Sequence, residues 1–343
     1  LSLGALQIVG LNKNHVFAQN NIVADDTLGN DKSRVVPFEG NNAMDTIRGG
    51  AIRGSNLFHS FTEFNIGADK GAYFFSPNGE IQNILARVTG RNPSEILGIL
   101  GTRVFDGNSL FTSNANLFLI NPNGILFGEN ARLDIGGSFV ATTADGIEFG
   151  EQGVFSAINP EVPQILNVNP SALFFNQVAA ANITVRSVAP AGTSPSGIEV
   201  VGLRVPDSRS LLLVGGDVNF EGGQSSALGG HLELGGLKEP GSIELIFSDE
   251  TLQLGYPDNI LQANVTLKDD ARASVRGAGG GNLVVNADSF TATSGGRLIA
   301  GTEKPVKGGD ITVNANNFII NGLSSSGNSS GLYNQTVVDS VGN

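Results

Sequence analysis

Three histidines, His15, His59 and His231, are the side chains of this sequence best suited to metal binding or to general acid–base chemistry. They lie in unrelated sequence contexts, and none has a second His or a Cys at the spacing of a metal site. The chain contains no Cys, which excludes thiolate zinc sites, Cys nucleophiles and disulfides. The sequence therefore predicts no metal site and no cofactor.

Carboxylates and hydroxyl nucleophiles offer little more for catalysis. The adjacent pairs Asp25-Asp26 and Asp269-Asp270 would point to opposite faces of a strand, and such pairs are typical of solvated turns. No Gly-x-Ser-x-Gly motif occurs, and no glycine motif has the strand-then-helix setting that phosphate binding needs. A β-helical polysaccharide lyase or hydrolase would need acidic and basic groups clustered on one face. The sequence predicts that the protein is not an enzyme.

The most specific local pattern is structural, Asn121-Pro122-Asn123-Gly124-Ile125 after an apolar run at residues 115–120. Proline fixes φ at the first turn position, and the Asn-Gly pair accepts the positive φ of a tight turn. The Asn121 side chain can bond the backbone two residues on. The pattern predicts a tight corner between strands, with Leu117, Leu119 and Ile125 pointing into a core.

Composition restricts the elements that could position such a corner. The 343 residues include 47 Gly and 35 Asn, a turn-rich balance that disfavours long helices. The hydrophobic fraction of 40% still allows a core. A net charge of −12 argues against a nucleic-acid partner or an anionic membrane surface. No stretch of 18 apolar residues occurs, so we expect no integral membrane protein.

Short apolar runs with alternating polarity, separated by Gly pairs or Asn-Gly, predict strands throughout the chain. A helix is plausible only at residues 82–88 or 94–100. Residues 280–290 match residues 308–318 in character at an offset of 28, and further Gly pairs recur between residues 215 and 236. This periodicity predicts a β-solenoid whose stacked coils share an inward parity. A propeller or sandwich is the alternative, and would need antiparallel hairpins and longer strands.

Both ends of the sequence suggest boundaries. Residues 1–19 are mostly apolar at first and then carry small residues around a possible cut before Gln19, which predicts the remnant of a secretory signal. An amphipathic first strand is the alternative. Residues 331–343 read as the start of another coil, so we expect the N-terminal part of a longer protein. We divide the chain into residues 1–19, a core at 20–150 and further coils at 151–343.

The corner pattern resembles the Asn-Pro-Asn-Gly-Ile motif of the filamentous-haemagglutinin type secretion domain, the N-terminal part of exoproteins exported by two-partner secretion. Residues 55–66, 84–89 with 93–94, and 136–143 resemble further segments of that family in the same order. The second family motif, Asn-Pro-Asn-Leu, does not occur in this chain. The motif residues of interest are Asn121, Pro122, Asn123, Gly124, Ile125, Asn56, Leu57, Phe58, His59, Phe61, Phe64 and Asn65.

The resemblance implies an all-β, right-handed parallel β-helix with an N-terminal capping sheet. It implies a monomeric, non-enzymatic domain that is recognised in the periplasm by the POTRA domains of a TpsB-type outer-membrane β-barrel pore. The chain would thread through the pore extended and fold outside, nucleating a secreted or cell-surface adhesin. Alternatives are a glycan-binding β-helix module, favoured by exposed aromatic or Asn ladders, and a carbohydrate-active β-helix enzyme, favoured by converging carboxylates.

Overall fold

The computed structural model describes residues 19–105, 107, 109–163, 165–178, 180–248 and 251–336. The predicted signal remnant therefore lies outside the described residues, except for Gln19. Within these ranges the helical structure is confined to one 3₁₀ turn, Gly29–Asp31. Residues 82–88 and 94–100, where the sequence left a helix open, contain strands instead.

Strands follow one another along the whole described chain. The first nine are β1 (Asn21–Ala24), β2 (Ser33–Phe38), β3 (Asn41–Gly49), β4 (Ala51–Arg53), β5 (Asn56–Asn65), β6 (Gly71–Ser76), β7 (Asn83–Val88), β8 (Ser94–Ile96) and β9 (Ile99–Phe105). The next nine are β10 (Leu110–Thr112), β11 (Asn116–Ile120), β12 (Ile125–Phe127), β13 (Arg132–Asp134), β14 (Phe139–Thr142), β15 (Gly146–Glu148), β16 (Val154–Ser156), β17 (Ala172–Phe175) and β18 (Ile183–Val185). Then follow β19 (Pro190–Thr193), β20 (Glu199–Val201), β21 (Leu203–Arg204), β22 (Ser210–Gly215), β23 (Val218–Glu221), β24 (Gln224–Ser226), β25 (His231–Gly236) and β26 (Gly241–Ser248). The last are β27 (Thr251–Gly255), β28 (Val265–Lys268), β29 (Arg272–Ser274), β30 (Asn282–Thr293), β31 (Arg297–Thr302), β32 (Ile311–Asn321) and β33 (Gly331–Thr336).

Most of these strands stack in parallel and in register as three faces of a β-helix. Face one contains β5, β7, β11, β14, β22, β25 and the first halves of β30 and β32. Face two contains β8, β12, β18, β23, β28 and the second halves of β30 and β32. Face three contains β21, β24, β29, β31 and β33. The predicted parallel β-helix is confirmed.

The 28-residue repeat of the sequence corresponds to two neighbouring coils. Leu283 lies opposite Ile311, and Phe290 opposite Phe318, so β30 and β32 pair at that same offset. Coil length varies elsewhere along the β-helix. Leu211 pairs directly with Leu232, whereas β15, β16 and β17 are inserted in the coil that leads from β14 to β22.

The early coils of face one are buried on both sides. Leu117, Leu119 and Ile125 belong to the inner core of the β-helix, as the sequence predicts. Phe118 and Ile120 point the other way, yet they are fully buried in a second core. An antiparallel sheet in the order β16-β15-β17-β26-β27 supplies the opposite side of this second core. The parity prediction holds, but the outer side chains of these coils are covered rather than solvated.

An N-terminal cap covers the first coil. Strands β1 and β4 pair antiparallel with β5, and β2 and β3 form an antiparallel pair whose β3 lies parallel to β6. Pairing with β1 and β4 protects the free edge of the first face-one strand from uncontrolled pairing. The predicted capping sheet is present.

Glycines at the coil corners permit close backbone approach between coils. A Cβ on Gly236 would overlap the carbonyl oxygen of Gly215 in the coil before it, and one on Gly309 would overlap that of Gly281. Neither Gly236 nor Gly309 has a positive φ. These Gly pairs are therefore required by the stacking distance rather than by backbone conformation.

Candidate functional site

The segment Asn121–Gly124 forms a tight corner between β11 and β12. The Gly124 amide donates to the Asn121 carbonyl oxygen at 3.1 Å, which closes a β-turn with proline at its second position. The Asn123 amide donates to Asn121 Oδ1 at 2.9 Å, the local bond that the sequence predicts. Positive φ falls on Gly124 alone, at 115°, and not on Asn123 as the Asn-Gly pattern would also allow.

The amides of this corner also hold the preceding coil. Asn121 Nδ2 donates to Ser94 Oγ and to the Asn92 carbonyl oxygen, both at 3.0 Å. Asn123 Nδ2 donates to the Gly90 carbonyl oxygen at 2.8 Å. Asn121 and Pro122 are buried, and Ile125 extends the inner core. The corner therefore fixes the register between two coils, and its side chains are engaged inside the folded domain.

Asn65 reaches the same segment from the coil below. Asn65 Oδ1 accepts from the Glu95 amide at 2.8 Å, next to the Ser94 that Asn121 holds. The structure thus brings Asn65 and the Asn121 corner together at β8. Asn56, by contrast, lies at the opposite end of β5, where face one begins.

Asn56 starts a ladder of amides along that opposite end. Asn83 Nδ2 donates to Asn56 Oδ1 at 2.9 Å, and Asn116 Nδ2 donates to Asn83 Oδ1 at 3.0 Å. Asn56 Nδ2 donates in turn to the carbonyl oxygens of Leu166 and Val168. Asn56 and Asn83 are completely buried, so this ladder satisfies itself and joins the coils instead of presenting donors to a glycan.

The aromatic residues of β5 divide between the two cores. Phe61 and Phe64 pack with Phe74 in the inner core, with ring centroids 5.1–6.2 Å apart. Phe58 points outward and packs on Phe155 in the second core at 4.8 Å. Leu57 lies in the inner core. None of these four β5 side chains is available at the surface of the folded domain.

His59 is buried as a neutral imidazole. Its Nδ1 lies 3.0 Å from Ser33 Oγ, and its ring contacts Phe74 at 5.1 Å. Burial lowers the pKa of His59 to about 3. Its Nε2 is buried and has no hydrogen-bond partner among the described residues.

Arg87 centres a buried polar network that sequence reasoning missed. Its Nε donates to Ser60 Oγ at 3.0 Å and its Nη2 to Thr27 Oγ1 at 2.9 Å. It also donates to the carbonyl oxygens of Ser156 and Glu161, and its guanidinium lies 4.2 Å from the Phe155 ring centroid. Burial lowers the pKa of Arg87 to about 10, so the side chain stays charged at neutral pH.

Asp25 balances this charge through the same hydroxyl groups. Thr27 Oγ1 and Thr89 Oγ1 each donate to the Asp25 carboxylate at 2.6 Å, and Ser60 Oγ donates at 2.9 Å. Burial opposes ionisation of Asp25, but these hydrogen bonds outweigh it and hold the pKa below the usual range. The network joins the cap, the first two coils and the loop after β16. Arg87 lies in a family-like segment, but nothing local in the sequence indicates its distant partners.

The contacts described above connect the cap, the first coils and the Asn121 corner to one another. No group of three or more His, Asp or Glu side chains suited to a metal occurs in the described part of the chain. Within the same residues, no helix is long and apolar enough to cross a membrane. A groove of about 660 Å³ is lined by Glu239, Gln262 and Asn316 among others, none of which belongs to the motif segments.

Comparison with known proteins identifies the family of this chain. The family model of the TPS secretion domain matches residues 20–285. The chain belongs to this family. It is a secretion domain of the two-partner type. The family consists of export domains of adhesin-like exoproteins and is not an enzyme family. Such domains are recognised by outer-membrane transporters, and the exoproteins that carry them are exported.

Individual relatives give more limited matches. The chain is 36% identical over 92 residues to the heme/hemopexin-binding protein of Haemophilus influenzae, a match that covers 26% of this chain and 8% of that protein. It is similar to the HMW1 secretion domain of Haemophilus influenzae, with 20% identity, 86% of this chain and 74% of that chain covered, and a TM-score of 0.49. The filamentous hemagglutinin secretion domain follows with 16% identity, 92% and 99% covered, and a TM-score of 0.38.

Proposed function

We propose that this TPS domain is recognised before it folds, as an extended chain, by the periplasmic POTRA domains of a TpsB-type β-barrel pore. The observation that supports this is the burial of the motif side chains in the folded domain. Asn56, Phe58, Phe61 and Asn121 are each fully buried. A receptor that reads these side chains meets them only in the unfolded chain.

Recognition of an extended chain fits the chemistry of these segments. An extended segment offers its backbone donors and acceptors for strand addition, and alternate side chains supply specificity. In β5 both parities carry large apolar groups, Leu57 and Phe61 on one side and Phe58 on the other. Folding withdraws both sets into the two cores, so folding and pore binding compete for the same residues.

Folding after passage supplies the second half of the proposed function. The cap, the Arg87 network and the Asn121 corner bind residues of the first coils to one another. Each later coil then adds to an existing parallel edge, which is how a solenoid extends. We propose that the domain nucleates the β-helix of an adhesin-like exoprotein that is secreted or held at the cell surface, and that it has no enzymatic activity of its own.

A binding experiment tests recognition before folding. Purified POTRA domains of the cognate TpsB-type pore are titrated with the folded domain and with Leu119→Asp, which we expect to stay unfolded. Thr312→Asp, at an exposed position of β32, is the folded control. We expect the unfolded variant to bind and both folded proteins to bind at least tenfold more weakly. Tight binding of the folded proteins, with loss on unfolding, would contradict the proposal.

A further inference from the structure

The outer side of face three carries a column of long polar side chains. Gln224 of β24 lies in register with Arg272 of β29, and Arg272 with Arg297 of β31. The intervening Ala273 and Leu298 belong to the inner core, so the column points away from that core. Neighbouring strands of a sheet lie about 4.8 Å apart, which places the two arginines directly over one another on successive coils.

Arg272 has no counter-charge. Within the described ranges its guanidinium makes no hydrogen bond and no ion pair, and it is only partly exposed. Burial lowers the pKa of Arg272, and the like charges of Arg297 and Arg276 lower it further. The other two arginines are each close to a carboxylate. Arg297 Nη2 lies 4.0 Å from Asp270 Oδ1, and Arg276 Nε lies 3.5 Å from Glu303 Oε1.

Unsatisfied buried atoms gather on the same column. Gln224 Oε1, Arg272 Nε and Arg297 Nε are all buried without a hydrogen-bond partner in the described part of the protein. Ser226 Oγ, two residues after Gln224 on β24, is a fourth such atom. Folded proteins rarely leave buried polar atoms unpaired, and such groups commonly mark the site of an ion or a water. Of these atoms the two arginine Nε–H groups are donors without an acceptor, and they lie on successive coils beside the uncompensated charge of Arg272.

We propose that Arg272 and Arg297 form a binding site for a phosphate or sulfate group. A tetrahedral dianion has enough acceptor oxygens to take hydrogen bonds from both stacked guanidinium groups, and its charge would offset the repulsion between them. Arg297 already lies 4.0 Å from Asp270 and donates through Nη1 to Asn328 Oδ1 at 3.3 Å, which leaves Arg272 as the main donor. The group reaches this site either as a free anion or on a lipid headgroup.

Thermal unfolding of the purified domain tests the free-anion form. Wild type, Arg272→Met and Arg186→Met are compared in sodium phosphate and in sodium chloride at matched ionic strength. Arg186 is the control because it pairs with Glu221 at the surface. We expect phosphate to raise the Tm of wild type and Arg186→Met by several degrees over chloride, and to leave Arg272→Met unchanged.

The chloride arm gives a second readout. Because Arg272→Met removes an unpaired, largely buried charge, its Tm in chloride should equal or exceed that of wild type. If Arg272→Met fails to fold, Arg297→Met serves in its place. An equal phosphate-dependent rise in wild type and the Arg272 or Arg297 variant would be a general salt effect and would overturn the free-anion site.

Vesicle flotation separates the two sources of the group. Phosphatidylcholine vesicles with and without phosphatidic acid are mixed with wild type and Arg272→Met. Phosphatidic-acid-dependent flotation that the variant loses identifies a lipid phosphate. A variant-sensitive phosphate shift without flotation identifies a free anion. Absence of both effects would overturn the proposal.

Discussion

One register column of face one runs from the early coils to the late coils of the β-helix. Its outward-pointing side chain is buried in the early coils and exposed in the last one. Phe118 in β11 is fully buried beneath the antiparallel sheet, whereas Thr312 in β32, in register with it through the intervening strands, is exposed. The early coils therefore pack against two cores and the later ones against one. The segments that resemble the family motifs lie among the coils that pack against both cores.

The largest expected effect comes from a charge placed in the inner core of an early coil. Leu119→Asp strands a carboxylate among apolar groups, and we expect a loss of roughly 4 kcal/mol or more in the free energy of unfolding. The matched change Val313→Asp, in the same column but only half-buried, should cost about 1 kcal/mol. Urea titration monitored by circular dichroism compares the two: Leu119→Asp should lack a cooperative transition even without urea, whereas Val313→Asp should keep one, and equal transitions would remove the distinction between the ends.

Truncating Phe118, which lies in the second core, tests how much that core contributes to stability. Phe118→Ala should cost about 3–5 kcal/mol, because it leaves a cavity between face one and the antiparallel sheet. Thr312→Ala, at the equivalent exposed position, should change stability by less than about 0.5 kcal/mol. If Phe118→Ala unfolds at the same urea concentration as wild type, the second core does not stabilise the early coils.

The corner should contribute less than the cores. Gly124→Val forces a β-branched residue to a φ of 115°, at a cost of about 1–3 kcal/mol. Gly79 follows a similar Pro-Asn pair but has no positive φ and no neighbour within 4 Å of an added Cβ, so Gly79→Val is the matched control. Differential scanning calorimetry should show a lower Tm for the first variant only. Equal Tm values would mean that the positive φ of Gly124 does not require glycine.

Acid should weaken the early coils through His59. Its folded pKa is about 3 against 6.5 for the ordinary group, so below pH 6.5 the unfolded chain takes up a proton that the folded domain does not. The His59 contribution to stability is therefore fully present above pH 6.5. It falls by at most about 1.4 kcal/mol per pH unit as the pH drops towards 3. His59→Gln should flatten the slope of unfolding free energy between pH 6.5 and 4.5, and an unchanged slope would contradict the assignment.

The features that could be predicted from the sequence are those formed by residues close together in the chain or related by the repeat. The Asn121–Gly124 turn is local, and the 28-residue repeat maps directly onto the pairing of Leu283 with Ile311. The second core was missed because its sheet joins distant segments, such as Leu173 with Ile243, that carry no shared period. The Arg87 network was missed for the same reason, since its partners extend from Thr27 to Glu161. Whether the motif residues contact the pore stays a prediction.

Export of a reporter fusion tests the central claim most directly. A reporter is fused after residues 20–336 behind a complete cleavable signal peptide and expressed with and without the partner pore, alongside a fusion that lacks residues 20–145. The account predicts secretion of the intact fusion only when the pore is present, and periplasmic retention of the shortened one. Normal secretion of the shortened fusion, or secretion of the intact one without the pore, would contradict the account.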